Sequence, residues 1–395
     1  MLDALVLRSE NGLVNRFLPH KFTRISKAYP LLALWFYPIS ETLPLLSIYV
    51  LKGFFQVSGE ELVVKQMEEI INHINRKRFT VRVIKTEDIT KAVKKMCIDA
   101  NLYLADDMKK ALFNACDNEE SALGKKILGQ LKENLEIAGN ESIPICQDTG
   151  MAIVFVRLGQ DVHIEGGSFN EAINEGVRQG YTEGYLRKSV VNDPVIRKNT
   201  GDNTPAIIHT EIVDGDKLEI TLAPKGFGSE NMSRVFMLKP ADGIDGIKNA
   251  VLTAVKDAGP NACPPVVVGV GIGGDFEKSA LLAKKALTNE LNSVHSYWDD
   301  IKTGNGTDIS SDNDKTAANT EKEVAKDIIP DCAYLTELQK SLYNDINNLD
   351  IGPGGMGGKF TCLGVNIEVY PTHIAGMPLS VNMCCHVNRH AKSIL

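Results

Sequence analysis

C-x-x-C cysteine pairs, an excess of positive charge and an apolar run long enough to span a membrane are all missing from this 395-residue chain. Its eight cysteines stand at 97, 116, 146, 263, 332, 362, 384 and 385, with no C-x-x-C among them. That spacing excludes the dense disulfide framework of small secreted domains and makes a reducing, cytoplasmic compartment the simplest one. Lysine and arginine number 43 against 50 aspartate and glutamate, a net charge of −7. The balance speaks against nucleic acid or an anionic membrane as the main partner, and leaves room for a small anionic substrate in a local basic pocket. An apolar stretch from Tyr29 to Phe55 is cut by Pro30, Pro38, Glu41 and Pro44 into pieces well short of the ~18 residues that a membrane helix needs. No apolar region followed by a small-residue cleavage site marks a signal peptide. Residues 1–80 therefore read as an N-terminal extension: a peripheral attachment, a disordered leader, or sequence upstream of the true start.

What is present is an ordinary globular composition, with 43% hydrophobic and 24% charged residues, 33 glycines and 16 prolines, at a length that allows a sizeable core. Regular patterning begins at Arg82. Ile89, Val93, Met96, Cys97 and Ala100 recur at helical spacing, as do Met108, Leu112, Ala115 and Cys116, so Cys97 and Cys116 read as core residues. A third helix follows Ser121 and stops before Pro144, leaving Cys146 on a loop. Next come the strand Met151 to Leu158 and a helix capped by Ser168. The arms AIIHTEIV and LEITLA, either side of Asp214-Gly215-Asp216, are predicted to form a hairpin. A helix over 244–258, a buried strand from Val266, helices over 278–287 and near 334–347, and strands over 365–370 and 379–385 complete an α+β chain that ends in a short basic tail. Residues 302–326 are polar and rich in Gly, Asn and Asp, the composition of a surface insertion.

Four segments concentrate reactive or flexible residues: Cys146-Gln147-Asp148-Thr149-Gly150, Lys225-Gly226-Phe227-Gly228-Ser229, Asn261-Ala262-Cys263-Pro264-Pro265 and Cys384-Cys385-His386. Each alone is a weak signal. Together, within IPICQDTGMA, GYLRKSVV, APKGFGSENMS, ACPP, IGPGGMGGK, YPTHIAGMP and CHVNRHA, they give the chain from about residue 82 onward, the insertion excepted, a specific likeness. It resembles the α part of class I fumarate hydratases and the related tartrate dehydratases, which are oxygen-sensitive iron–sulfur hydro-lyases. The resemblance implies one α-type catalytic domain over 81–395, behind the 1–80 extension.

In that family three cysteines hold a [4Fe-4S] cluster, and they match Cys146, Cys263 and Cys385. These lie 117 and 122 residues apart, so folding alone can bring them together, unlike the short four-cysteine run of a ferredoxin that ligates every iron. Three thiolates leave one iron open to act as a Lewis acid. Pro264 and Pro265 suit a fixed ligand loop, although such a pair is equally common in a plain turn. Of Cys384 and Cys385 the resemblance selects Cys385; successive residues of a strand face opposite sides, so only one can face the cluster.

The implied reaction is reversible hydration of fumarate to malate, a step of the tricarboxylic acid cycle. Hydroxide leaves poorly and the neighbouring C–H is weakly acidic, so the chemistry needs a cation at the oxygen and a base at the carbon. Gln147 and Asp148 match the substrate-contacting pair beside the first ligand, Gln147 as a donor and Asp148 orienting or activating the proton-transfer group; in a bare turn the same residues would cap local backbone. Arg187 is the candidate for bidentate capture of a carboxylate. Gly226 and Gly228 would let main-chain N–H groups approach a carboxylate, with Lys225 as a nearby cation; Phe227 departs from the glycine common at that place in relatives. His373 matches a family histidine near the substrate. His386 and His390 lack the cysteine pair of a zinc site. Because the chain stops at Leu395, soon after the third ligand, the expectation is an α subunit. A β subunit would supply the remaining carboxylate contacts and the proton-abstracting group, in a heterotetramer or similar assembly.

Three competing readings stay open. Gly269-Val270-Gly271-Ile272-Gly273-Gly274 satisfies G-x-G-x-x-G between a Val-rich strand and a helix, as an NAD-dependent oxidoreductase would require. Against it, Glu290, Asp299 and Asp300 lie in or after a helical stretch instead of ending a second strand. The others are a tartrate dehydratase α subunit and a non-catalytic cluster-binding subunit.

Overall fold

The computed structural model describes residues 81–302 and 332–395; the 1–80 extension and the 302–326 insertion beyond its first residue lie outside the described residues. In chain order the elements are β1 (Arg82–Lys85), α1 (Thr86–Leu102), α2 (Asp106–Asn118), α3 (Ala122–Glu141), β2 (Met151–Gly159), β3 (Val162–Glu165), α4 (Phe169–Glu183), β4 (Ile207–Val213), β5 (Leu218–Lys225), α5 (Phe227–Glu230), β6 (Arg234–Leu238), α6 (Gly243–Ala258), β7 (Val266–Gly274), α7 (Phe276–Ala286), β8 (Val294–Ser296), α8 (Tyr297–Lys302), α9 (Ala333–Asn347), β9 (Cys362–Thr372), β10 (Met377–Cys384) and β11 (Ala391–Ile394). Helices and mixed sheets alternate, the α+β class that the patterning predicts.

The apolar stripe of α1 and that of α4, whose first turn is capped by Ser168 Oγ accepting from Glu171 N–H, share one core with a four-stranded sheet in the order β11, β5, β2, β4. The helices approach so closely that a Cβ on Gly176 would lie 2.6 Å from Val93 Cβ, which only glycine allows. The arms β4 and β5 do not form the expected hairpin: β2 lies between them, parallel to β4 and antiparallel to β5. Burial decides the order. β2 buries Ala152, Val154 and Val156 and takes a central place, while the more exposed β4 goes to the edge. The connection between the arms passes over the end of β2, where Gly159 N–H donates to Lys217 O and Asp161 N–H to Gly215 O. The basic tail is also more ordered than its composition suggests, since it adds β11 antiparallel to β5.

The second sheet has five strands in the order β6, β10, β7, β9, β8. On β7, Val266, Val268, Val270 and Ile272 face the core shared with α6 and α9, while the alternate positions face the other way. There Gly269 and Gly271 lie beneath α7, and an added Cβ would stand 2.1 Å from Ala283 O and 2.1 Å from Ser279 O respectively. The first two glycines of the nucleotide-like motif therefore sit inside a strand, as bare positions at the pleat period of two, where a helix backbone rests on the sheet. A dinucleotide phosphate needs them in the strand-to-helix turn.

A third core joins α2 and α3 to Val267, Phe360, Leu363 and Val387, with Cys116 half-buried at its margin instead of fully interior. Beside it Glu119, 4% exposed, accepts backbone N–H groups of Glu120, Ser121, Lys359 and Phe360. A Cβ on Gly358 would come within 2.8 Å of Glu119 Oε1. Glu119 thus ties the end of the glycine-rich IGPGGMGGK loop, through Lys359 N–H and the following Phe360 N–H, to the start of α3. The same loop reaches Cys263, because Gly354 N–H donates to Pro264 O. Burial disfavours the Glu119 charge, but the four backbone donors outweigh it and hold the carboxyl below the usual range. Replacing Glu119 with glutamine should cost about 2–3 kcal/mol near neutral pH, because hydrogen bonds to a buried charge are lost. The folded carboxyl titrates below the unfolded one, so its contribution is complete above about pH 4.3 and disappears as pH falls through the folded value. Urea unfolding of both proteins should show the gap shrinking in acid.

Candidate active site

Three loops meet at one end of the five-stranded sheet. Cys146 follows α3 on the loop that Pro144 opens; Ile145 N–H donates to Asn101 O at 2.9 Å and Ile145 O accepts Asn134 Nδ2 at 2.8 Å. Cys263 ends a 3₁₀ turn over Gly259–Ala262, in the left-handed region at φ 55°, with its N–H on Pro260 O. Cys384 pairs with Val267 near the start of β7, so Cys385 leaves the sheet at the end from which Cys263 enters it. His386 Nδ1 donates to Cys263 O at 3.3 Å. Burial first, and the charge of nearby Cys146 second, push the Cys263 thiol up. All eight cysteines are free thiols.

The expected alternation at Cys384 and Cys385 does not hold, because β10 ends at Cys384 and the next residue is free of the pleat. Their thiols meet: donation to Cys384 and burial push the Cys385 thiol up. Among the described residues, no three His, Cys, Asp or Glu side chains close on one point as ligands of a single metal ion.

Asp148 ties the first loop to the K-G-F-G-S turn. Its Oδ2 accepts Phe227 N–H at 2.9 Å and its Oδ1 accepts Gly150 N–H at 3.0 Å. A Cβ on Gly226 would lie 3.1 Å from Asp148 Oδ2, so glycine at 226 leaves room for the carboxylate; at 227 only the N–H is used, and Phe227 turns its ring outward. Gly228 lies near Asn261 O in the Cys263 loop. Gly150 is held at φ 77°, and a Cβ there would be 2.7 Å from Lys225 N.

Lys225 departs from the expected position beside substrate. It is 5% exposed, and its Nζ is spent on Glu230 Oε2 at 3.3 Å, Ser229 Oγ at 3.0 Å and Gly226 O at 3.2 Å. Glu230 also pairs with Lys284 of α7 and accepts Asn382 Nδ2 of β10 at 2.9 Å. Burial opposes the Glu230 charge, and the two ammonium groups overcome it, so its carboxyl sits below the usual range. Lys284 is pulled down, burial outweighing the help from Glu230.

Gln147 and Arg187 are exposed, and neither side chain has a hydrogen bond or ion pair among the described residues. Arg187 is located by its backbone, whose carbonyl accepts Thr149 Oγ1 at 3.0 Å. His373 is not brought to this group. It sits at the exposed tip between β9 and β10, its Nδ1 accepting Ala375 N–H at 3.2 Å, and the eight residues of β10 separate it from Cys385 by roughly 26 Å.

Sequence reasoning passed over Glu230, Lys284 and Arg389. Arg389, 4% exposed, donates from Nη2 to Asp148 O across 241 residues of sequence. A charged residue is almost never fully buried unless paired, but the sequence carries no mark of burial at 389 because β10 ends before it.

Comparisons agree with the motif order. A sequence model of the family described as fumarate hydratase (Fumerase) matches residues 90–394. The putative L(+)-tartrate dehydratase subunit alpha of Methanocaldococcus jannaschii is 38% identical over 309 residues, which cover 77% of this chain and 96% of that protein. The L(+)-tartrate dehydratase subunit alpha of Escherichia coli (strain K12) is 29% identical over 289 residues, 72% of this chain and 84% of that protein.

Removing the shared carboxylate by Glu230→Gln leaves Lys225 and Lys284 without their common counter-charge. Stability should fall by about 3 kcal/mol, the cost of breaking a buried pair from one side, read as a lower urea midpoint at unchanged slope.

Proposed function

The chain belongs to the fumarate hydratase (Fumerase) family, and on that premise we propose that it is the α subunit of a hydro-lyase adding water reversibly to fumarate to give malate. The observation that carries this reading is the convergence of three loops, with Cys146, Cys263 and Cys385, at one end of the five-stranded sheet. Those thiols are free, Cys263 is an exposed residue and Cys146 and Cys385 are half-buried ones, and each loop is braced from behind. They fit a [4Fe-4S] cluster, in which each thiolate meets a different iron, so the ligands need not close on one point. Such a cluster, when bound, supplies a Lewis acid at the iron that no thiolate occupies.

The chain's own residues bind and orient. Arg187 takes one substrate carboxylate with its uncommitted guanidinium, and Gln147 donates its side-chain amide. Gly226 and Gly228 keep the turn bare enough for the substrate to approach its backbone. Asp148 is a positioning group, since both its oxygens already accept N–H donors; it holds the Cys146 loop and the turn in register and orients the proton-transfer group. Lys225 is reassigned from substrate contact to holding the turn through Glu230. The base at carbon comes from a β subunit, which also covers the open side of the site. The names of the relatives support such a partner. So do Tyr185, Val195 and Ile196, 92%, 86% and 79% exposed on a hydrogen-bonded loop that continues from Arg187. No helix among the described residues is long and apolar enough to cross a membrane; free thiols throughout suit the cytoplasm.

His373 is too far from its own chain's cysteines to share their substrate. In a heterotetramer with two α copies it serves the pocket of the second copy, a role supported by its exposure and that of Ile374, 91% exposed beside it. A second reading of substrate, L(+)-tartrate, is favoured by the printed names of both relatives.

Under strict anoxia, the reconstituted chain with a co-expressed β-type subunit should interconvert malate and fumarate, while the chain alone should turn over little. Serine at 146, 263 or 385 should abolish both activity and the iron–sulfur absorbance. Full turnover by the isolated chain would refute the shared site, and a strong preference for L(+)-tartrate would select the second reading. For His373, co-assembly of His373→Asn and Cys385→Ser copies should recover part of the activity that neither has alone; no recovery would place His373 outside catalysis in trans.

A further inference from the structure

The guanidinium of Arg389 has a duty beyond the bond it makes to Asp148. Its Nε and Nη1 are buried and have no hydrogen-bond partner, and no carboxylate pairs with it among the described residues. A buried, unpaired cation of this kind costs several kcal/mol unless something answers its charge. Its surroundings add to the imbalance. Lys225, Lys284, Thr288, Cys384, Asn388 and Arg389 line a cavity of about 10 Å³, room for one water, and Glu230 is already shared by the two lysines. One water can satisfy a donor but cannot neutralise the charge. Arg389 stands four residues after Cys385 and bonds the residue two after Cys146, so one side chain bridges two of the three cysteine loops.

We infer that Arg389 is a positioning residue for the sulfur centre: one donor fixes the Cys146 loop to the chain just after Cys385, and its positive charge, which no carboxylate among the described residues neutralises, answers the negative charge that bound thiolates would carry. This rests on the reading that Cys146, Cys263 and Cys385 hold an iron–sulfur cluster. A fixed cation at that place favours the more negative, reduced state, and it should therefore raise the reduction potential of the centre. It also holds the Cys146 loop closed before any metal binds. Other bridging groups do less: His386 touches only the Cys263 carbonyl, and Lys284 is committed to Glu230.

The full-length chain is compared with Arg389→Gln, which removes the charge, and Arg389→Lys, which keeps it, each expressed with the partner subunit. On the iron-free proteins, the rate of Cys146 alkylation by iodoacetamide is followed by peptide mapping. After anaerobic reconstitution, iron and sulfide per chain and the midpoint potential of the cluster signal are measured. Arg389→Gln should alkylate faster at Cys146, retain about tenfold less iron after desalting, and shift its potential to more negative values. Arg389→Lys should keep the wild-type potential. A glutamine variant matching wild type in potential and alkylation overturns the inference, leaving only a water-satisfied structural arginine. A lysine variant whose potential falls well below that of wild type overturns it too, and this comparison decides alone if the glutamine variant does not fold. Should wild type assemble no centre, the cluster reading fails instead; the iron-free alkylation rates still report whether Arg389 closes the loop.

Discussion

The architecture around the site depends on a single half-buried carboxylate, Glu230, held between two lysines. Lys225 comes from the end of β5, Lys284 from α7 and Asn382 from β10, so one side chain joins the four-stranded sheet, the five-stranded sheet and the helix that covers the latter. Few other contacts could do this. The two sheets have separate apolar cores, and apolar packing is non-directional; it brings the layers together without fixing which loop faces which. A charge-assisted network supplies the missing direction, because its members stay buried only when the donors and acceptor meet in one arrangement. Position 225 shows the consequence. A lysine that would be a plausible substrate cation on an open loop is withdrawn into the frame, and Arg187 on the rim is left as the exposed guanidinium of the pocket.

Glycine serves three different physical ends here, and separating them removes the nucleotide-binding reading. At 269 and 271 it lets α7 rest on β7. At 226 it makes room for the Asp148 carboxylate. In the IGPGGMGGK loop, the bare position at 358 leaves room for the Glu119 carboxylate, which accepts the N–H groups of Lys359 and Phe360 at the loop's end. The loop so held braces the Cys263 loop, through Gly354 N–H on Pro264 O.

Much of this was legible in the residues and some was not, for identifiable reasons. The helices were readable because their apolar stripes are continuous and their caps, Ser121 and Ser168, use ordinary chemistry. The Cys146 loop was readable from Pro144. The β4–β5 arms looked like a hairpin because a short Asp-Gly-Asp link between strands is a local signal, whereas the insertion of β2 between them depends on which strand is more apolar across the whole sheet. Glu119, Glu230 and Arg389 escaped for a related cause: a buried charge is legible only through its partners, and those lie as far as 241 residues away in sequence. His373 shows the converse. Twelve residues from Cys385 suggests closeness until β10 proves to run straight between them.

The charge distribution reconciles an acidic protein with an anionic substrate. The chain carries −7 overall, yet Lys225 and Lys284 flank one carboxylate, Arg389 lines a small cavity with both lysines, and Arg187 is exposed nearby on the Thr149 side of the site. In a partly desolvated pocket such fixed charges act at reduced dielectric and are screened little by salt, so the local field rather than the net charge decides what enters. On the proposed reading, the cations behind the cysteines would complement a sulfur-ligated centre, and Arg187 would complement a substrate carboxylate. A chain that kept the cysteines but lost the buried frame would present the same ligands to metal without the field that orders a dicarboxylate against them.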